Sequence, residues 1–412
     1  MLNRREFLRM TSGMAVAGSG VLVPGSALAR KISLGPAALP AGTLEESVLS
    51  ALPGKQPLIK RTFRAPNYET PVEYPNQMFT PNARFFVRWH LAVIPEVTAQ
   101  AWRLNIGGAS AQKQMTLTYD DLRRKFRPVE VVAVNMCAGN RRGLSQPHVP
   151  GVEWGNGAMG NARWRGVRLK DILNQAGINK NAVEVAFRGQ DHGPIAQTPQ
   201  FAKSLPMWKA LDDDTILAYE MNGRPMLLHH GMPVRLIVPG WVGTYWMKQI
   251  SEINVLPQPL DNYWMKSAYR IPTGKFPQLV RFASQDAPGV DTTPLTEMVV
   301  NSLITNIDDG QHFWLGRPIT VQGIAWDAGR GIQKVDISTD GGQSWQPAAL
   351  GKDYGKYSWR QWKYQFRPAQ RGQYGILAKA TNRKGETQES QLIWNPAGYH
   401  NNVPQRINVQ IV

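Results

Sequence analysis

The sequence holds a single cysteine, in Cys137-Ala138-Gly139-Asn140-Arg141-Arg142 at the end of an apolar run. The two arginines favour its thiolate, the form that ligates a soft metal or attacks as a nucleophile. Without those neighbours the same residue reads as a buried, inert side chain. Upstream, Phe85-Phe86-Val87-Arg88-Trp89-His90-Leu91 alternates. Arg88 and His90 therefore share a strand face with Phe86, opposite an apolar face of Phe85, Val87, Trp89 and Leu91. An arginine among Phe, Val and Trp needs an anion to offset its desolvation. Guanidinium groups arriving from two separated segments suit an oxyanion with several acceptors. One cysteine allows no internal disulfide, no Cys-x-x-Cys-His haem attachment, no cysteine-ligated iron–sulfur cluster and no multi-cysteine zinc site.

The elements that must position these groups can be read from hydrophobic period. Val129 to Met136 is almost continuously apolar and β-branched, predicting a buried strand that delivers Cys137 at its end. Leu169, Ile172, Leu173 and Ala176 have helical spacing, with Gly177 as the stop. Val183, Val185 and Phe187 predict another strand, and Leu236-Ile237-Val238 a third, closed by Pro239-Gly240. This mixture reads as α+β. Residues 30–80, rich in Pro, Gly and polar side chains, read as an extended arm. Ser284 to Gly289 reads as a linker. Beyond it, strands predicted over 319–324, 334–338, 362–366 and 374–381 form the pattern of a β-sandwich of about 110–120 residues. Ser338-Thr339-Asp340-Gly341-Gly342-Gln343-Ser344-Trp345 has the spacing of a sialidase Asp-box. It occurs once, and a tight hairpin with a packed Trp explains it as well.

At 412 residues the chain has room for two or three units of about 150 residues. With 42% hydrophobic and 19% charged residues it is neither a disordered chain nor a coiled coil. No apolar run reaches the roughly 18 residues of a membrane span. The formal charge of +17, from 47 Lys and Arg against 30 Asp and Glu, steers anions and acidic partners. Asn3-Arg4-Arg5-Glu6-Phe7-Leu8-Arg9, a weakly apolar stretch from about Met10 to Pro24, and Ala27-Leu28-Ala29 resemble a twin-arginine export signal cleaved after Ala29. That route carries folded proteins, often with a cofactor already inserted, to the periplasm. Export removes nucleic acid as a partner and leaves the basic surface for a small anion or another exported protein.

Cys137 to Arg142, followed by Gly155-Asn156-Gly157-Ala158 and Ala162-Arg163-Trp164, resembles the sulfite oxidase family of molybdenum enzymes. The resemblance runs from about Pro81 to the C-terminus. It takes in Phe86-Val87-Arg88, Ala218-Tyr219-Glu220-Met221-Asn222-Gly223, His230-Gly231, Pro233-Val234-Arg235 and Val238-Pro239-Gly240. The N-terminal segment and Gly143-Leu144 are most similar to bacterial periplasmic sulfite dehydrogenases. The resemblance implies an α+β fold: a molybdopterin-binding catalytic domain over 81–285, then an immunoglobulin-like β-sandwich of the dimerisation type over 286–412. These follow a signal peptide over 1–29 and an arm over 30–80.

The resemblance also implies one molybdenum-molybdopterin per chain, with the Cys137 thiolate as the one protein ligand of molybdenum. A soft thiolate suits such a sulfur-rich site. Arg88 and Arg142 would hold sulfite, with His90 beside them and Trp154 lining the pocket. Tyr269, in Lys266-Ser267-Ala268-Tyr269, would touch the substrate; Tyr219, in the more recognisable motif, is not that tyrosine. Asp191, His230, Arg235 and Lys248 match positions that bind the pterin and its phosphate. Read without the family, His230 beside His229 is a loop hydrogen-bonder, Lys248 a solvated charge, and Arg163 and Arg165 are structural.

The implied reaction is oxidation of sulfite to sulfate, with electrons leaving singly. No haem is expected in this chain, so the acceptor would be a c-type cytochrome, as a subunit or a transient partner. A homodimer through the C-terminal domain is implied, with no nucleic acid and no membrane span. One departure stands out: animal sulfite oxidases carry another substrate-site arginine after a Trp-Asn pair. Here Trp394-Asn395 continues into Pro396-Ala397-Gly398, leaving His90 to compensate. Two alternatives remain. The same fold could act on sulfane sulfur, a sulfoxide or nitrate. A non-catalytic exported binding protein would account for the sandwich and the 14 Trp, but not for the cysteine loop or the export signal.

Overall fold

The computed structural model describes residues 28–30, 47–63, 65–72, 76–273 and 284–412. The twin-arginine motif and the apolar stretch after it, within 1–27, lie outside the described residues. The predicted strand before the cysteine is Pro128–Met136. It pairs antiparallel with Met159–Arg168, in register from Pro128 opposite Val167 to Met136 opposite Met159. Its first half is partly exposed and its last four residues are buried, so the chain reaches Cys137 from inside the core. Ile216–Met221 continues this sheet on the far side of Met159–Arg168 and also pairs with Arg235–Ile237. A second sheet runs Ala202–Pro206, Glu184–Gly189, Ile250–Leu256, Arg103–Gly107, Met115–Thr118. Val185 and Phe187 bury on it as predicted, whereas Val183 is exposed and precedes the strand.

Two helices show their causes in sequence. Leu169–Ala176 buries Leu169, Ile172, Leu173 and Ala176 and stops at Gly177, whose φ of 74° suits glycine. Tyr119–Lys125 opens with a capping box between Thr118 and Asp121 and ends on three basic residues, which complement its dipole.

The arm is more ordered than its composition suggests. Ser47–Ser50, Leu58–Thr62 and Asn67–Glu69 are strands of an antiparallel sheet whose last member is Val87–Arg88. Leu58 and Tyr68 bury there against Val87 and Trp89, an apolar cluster assembled from residues far apart in sequence. The strand predicted over Arg84 to Leu91 shrinks to Val87–Arg88. A turn on the Pro81 carbonyl precedes it, and Phe85 and Phe86 both enter the core.

Beyond residue 284 the chain forms two antiparallel-rich sheets. One runs Asn301–Ile304, Ile319–Trp326, Arg360–Phe366, Ala349–Leu350, and the other His312–Phe313, Arg406–Ile411, Gly372–Asn382, Ile332–Ser338, Gln346–Pro347. Val321, Val335, Trp362, Ile376 and Val409 fill a core between them. The Asp-box segment is a hairpin turn: Asp340 accepts from the backbone of Gln343 and Ser344, and Trp345 Nε1 donates back to Gly342. Leu295, Met298, Ile324, Trp326 and Trp359 bury instead in the core of the first region, so the two regions share an apolar boundary. Among the described residues no helix is long and apolar enough to cross a membrane.

Candidate active site

Cys137 is held by its loop and by the loop facing it. Its N–H donates to Ala158 and its carbonyl accepts from Asn140, whose side chain in turn accepts from Ala158 N–H. Glycines let both sides of this clasp approach closely, and at Gly157 backbone contact requires one. A Cβ on Gly139 would meet the Arg142 guanidinium at 2.5 Å, and one on Gly157 would meet the Thr70 carbonyl at 1.8 Å. The facing loop is fixed by Glu69, a buried carboxylate that accepts from Gly155 and Gly157 N–H and pairs with Arg61 at 2.7 Å. Nothing in the arm's composition singled out Glu69 or Arg61. An acid with no periodic context carries no signal until its partners are known.

Cys137, at 8% exposed, opens into a cavity. Of the residues proposed from sequence, Arg88, His90, Asp191, His230, Arg235, Lys248 and Tyr269 line it with Cys137. They come from segments separated by up to 181 positions, as in the pair Arg88 and Tyr269. Asn135, Thr244, Phe201 and Trp246 also line it and escaped the sequence reading, because none belongs to a motif with a distinctive spacing.

Two predicted residues do not line the cavity. Arg142 donates from Nε to the Ala397 carbonyl at 2.8 Å and from a terminal nitrogen to Val152 at 3.3 Å, and lies over the Tyr399 ring. The segment that follows Trp394-Asn395 thus occupies Arg142. Trp154 is wholly buried behind Phe86, edge-on at 6.5 Å.

One side of the cavity is a tight polar cluster. Arg88 donates to Tyr269 Oη at 3.2 Å, and the same oxygen lies 2.6 Å from His90 Nε2. Burial acts to lower the Arg88 pKa, and Tyr269 and Cys137 more than offset it, so the guanidinium is held charged. His90 stacks on Phe201 at 3.7 Å; burial, with Arg88, Lys248 and Lys203 nearby, drives its pKa well down, and the ring is neutral. The Tyr269 proton is then free to point at His90. Tyr269 has a φ of 56°, a conformation uncommon for a large side chain and held here by the Arg88, His90 and Tyr399 contacts.

Further basic residues line the same cavity. Lys248 donates to the Arg88 and His229 carbonyls at 2.7 Å and lies over Trp89. Arg235 donates to the His230 and Trp246 carbonyls, and burial brings its pKa down to about 9. Asp191 is the one carboxylate on the lining. Burial raises its pKa to about 6 against the pull of Lys248 and the Asp191 and Leu91 N–H groups. Burial, with Arg235 nearby, drives the Lys248 pKa well below the usual lysine range. Two guanidinium groups against one acid, with both histidines neutral, leave a cavity that attracts an anion. Asn135 Oδ1, Thr244 Oγ1 and Arg235 Nε are buried without a protein partner. Buried polar atoms of this kind call for a ligand or water to satisfy them. Among the described residues no group of three or more His, Cys, Asp or Glu is placed to hold a metal ion.

Comparison with known proteins accounts for both regions. Residues 90–264 match the oxidoreductase molybdopterin binding domain, and residues 292–412 match the Mo-co oxidoreductase dimerisation domain. The chain is 34% identical to the mitochondrial sulfite oxidase of Mus musculus over 377 residues, 87% of this chain and 67% of that protein. It is 33% identical to the sulfite oxidase of Gallus gallus, covering 89% of this chain and 81% of that protein. Its fold matches the crystal structure of the sulfane dehydrogenase SoxCD from Paracoccus pantotrophus with a TM-score of 0.71, at 24% identity over 85% of each chain. With both domains matched in order and more than a third of the residues shared with relatives of this kind over most of the chain's length, the chain belongs to the sulfite oxidase family of molybdenum-molybdopterin oxidoreductases.

Proposed function

We propose that this chain oxidises sulfite to sulfate in the periplasm, at a molybdenum-molybdopterin centre held in the cavity, and passes electrons singly to a c-type cytochrome. The observation that carries the reading is that the Cys137 thiol and the Arg88, His90 and Tyr269 cluster line one cavity. The residues present fit the group. One thiol would ligate the metal, and the cofactor's own sulfur and oxygen donors would complete the set. The unpartnered Asn135, Thr244 and Arg235 atoms suit a large polar ligand, and Arg235, Lys248 and His230 suit its phosphate. When bound, this group supplies the two-electron redox chemistry.

The chain's residues then bind and orient the anion. The Arg88 guanidinium and the Tyr269 hydroxyl offer charge and hydrogen bonds from fixed positions, so little reorganisation accompanies the reaction. His90 holds the tyrosine proton in place while staying neutral, which keeps the site's positive charge on Arg88. Phe86, Phe201 and Trp246 line the cavity and restrict water there. In this reading Arg142 and Trp154 act behind the wall as supports of the cysteine loop, and the anion is held by Arg88, His90 and Tyr269.

The twin-arginine motif supports export, and the +17 charge supports steering of an acidic cytochrome, whose reduction should slow with added salt. The two-sheet C-terminal region reads as an immunoglobulin-like sandwich that pairs two copies of the chain. The test is metal and pterin analysis of the purified protein, then sulfite, thiosulfate and methionine sulfoxide assayed side by side. One molybdenum per chain and sulfite-dependent reduction of cytochrome c are expected. Preference for another sulfur compound would move the activity to that substrate, and protein without molybdenum, made with the cofactor available, would end the reading.

A further inference from the structure

The turn Leu52–Lys55 closes with Lys55 N–H on the Leu52 carbonyl, with Gly54 in the left-handed region at φ 73°. A side chain there would press on Leu227, the residue before the short helix Leu228–His230. The arm therefore lies on the segment that carries His230, and Lys55 reaches under it. At 8% exposed, the Lys55 ammonium lies 2.5 Å from the Asn82 carbonyl, 2.6 Å from the Phe85 carbonyl and 2.9 Å from His230 Nε2. Those are three acceptors for three N–H donors. Burial drives the Lys55 pKa down, and full hydrogen bonding of the ammonium opposes that.

We propose that Lys55 is a positioning residue for the cofactor site: it donates to His230 Nε2 and fixes the imidazole as the Nδ1–H tautomer, so that His230 presents a donor to the cavity. Nε2 lies 2.9 Å from the Lys55 nitrogen and 3.0 Å from the Asn82 carbonyl, and that carbonyl is already taken by Lys55 at 2.5 Å. The proposal assigns the Nε2 lone pair to the ammonium, and a nitrogen that accepts from an ammonium carries no proton of its own. His230 lines the cavity, and among the described residues Nδ1 has no hydrogen-bond partner. An N–H there meets an anionic or carbonyl-bearing ligand, whereas a bare nitrogen would repel it. The proposal rests on the functional reading only for the identity of that ligand.

Long-range proton–nitrogen correlation of the histidine rings in the intact holoenzyme tests it, with His230 assigned by the loss of its signals in His230→Gln. The wild-type ring should be protonated at Nδ1. In Lys55→Met the proton should move to Nε2 and bond the Asn82 carbonyl, 3.0 Å away. Molybdenum retained through gel filtration should then fall on the order of tenfold, as for other partners that orient a ligand-holding imidazole. A purely structural lysine would lower the melting temperature and leave the tautomer alone. A wild-type ring protonated at Nε2, or a tautomer unchanged in Lys55→Met, overturns the proposal. If Lys55→Met does not fold, the wild-type spectrum decides alone. Protein without molybdenum but with Nδ1–H would count against the functional reading and leave the role of Lys55 standing.

Discussion

Arg88 and Arg142 both belong to segments that read from sequence as guanidinium donors for one small anion, yet the fold gives them opposite work. Arg88 ends a two-residue strand at the edge of the arm sheet, lines the cavity and contacts Tyr269. Arg142 turns away beneath Tyr399, with its donors on the carbonyls of Ala397 and Val152. Arg141, its neighbour, is likewise tied to the C-terminal region, through Asn301 and the Val403 carbonyl. Arg88 thus lines the cavity with Cys137, whereas the cysteine loop's own two arginines fasten it to the second region. An arginine beside a metal-binding cysteine is as readily a tie as a ligand, and the partner that decides lies about 250 residues away.

The sharpest test of this contrast removes the group both arginines surround. Cys137→Ser should abolish sulfite turnover and strip molybdenum from the purified protein; sulfite oxidation at the wild-type rate would overturn the site assignment. Next, Arg88→Gln should lower kcat/KM for sulfite by roughly 100- to 1000-fold, the scale for losing a preorganised charge at the reacting anion, with the melting temperature little changed. Arg142→Gln should do the reverse. It leaves buried carbonyls unpaired at the boundary between the regions, costing about 2 kcal/mol of stability, while KM rises less than about tenfold. A hundredfold rise in KM at an unchanged melting temperature would return Arg142 to the substrate and erase the difference.

The smallest effect concerns Lys203, which lies over the Tyr269 ring and near His90. Burial, with Arg270 nearby, brings its pKa down to about 7. The unfolded chain therefore binds more protons than the folded one from there up to the ordinary lysine range, and stability rises with pH across that window. Compared with Lys203→Met, the wild type should gain about 1 kcal/mol between pH 7 and pH 8, read by denaturant titration at each pH. Parallel pH profiles for the two proteins would show that Lys203 is not the group responsible.

Much of the site was legible because motif and period survive in one dimension. Pro128–Met136 announced itself by a continuous β-branched run, and Cys137 by being the chain's single sulfur nucleophile beside two arginines. Arg88 and His90 shared a face by simple alternation, and Tyr269, Asp191, His230, Arg235 and Lys248 came through resemblance to a family. Glu69, Lys55 and Lys203 gave no such signal. Each is a lone charged residue in sequence and acquires meaning only from carbonyls, rings or backbone N–H groups brought to it by distant segments.

The amino-acid sequence by itself determined the chemistry available: one thiol, an excess of cations and the local periods that raise a strand to deliver the sulfur. It also fixed the order of the two regions, since composition and strand spacing change along the chain. Only the tertiary structure decided which cations face the cavity and which are consumed as ties. That choice depends on hydrogen-bond partners far apart in sequence, and a guanidinium goes to whichever acceptors the packed core leaves within reach.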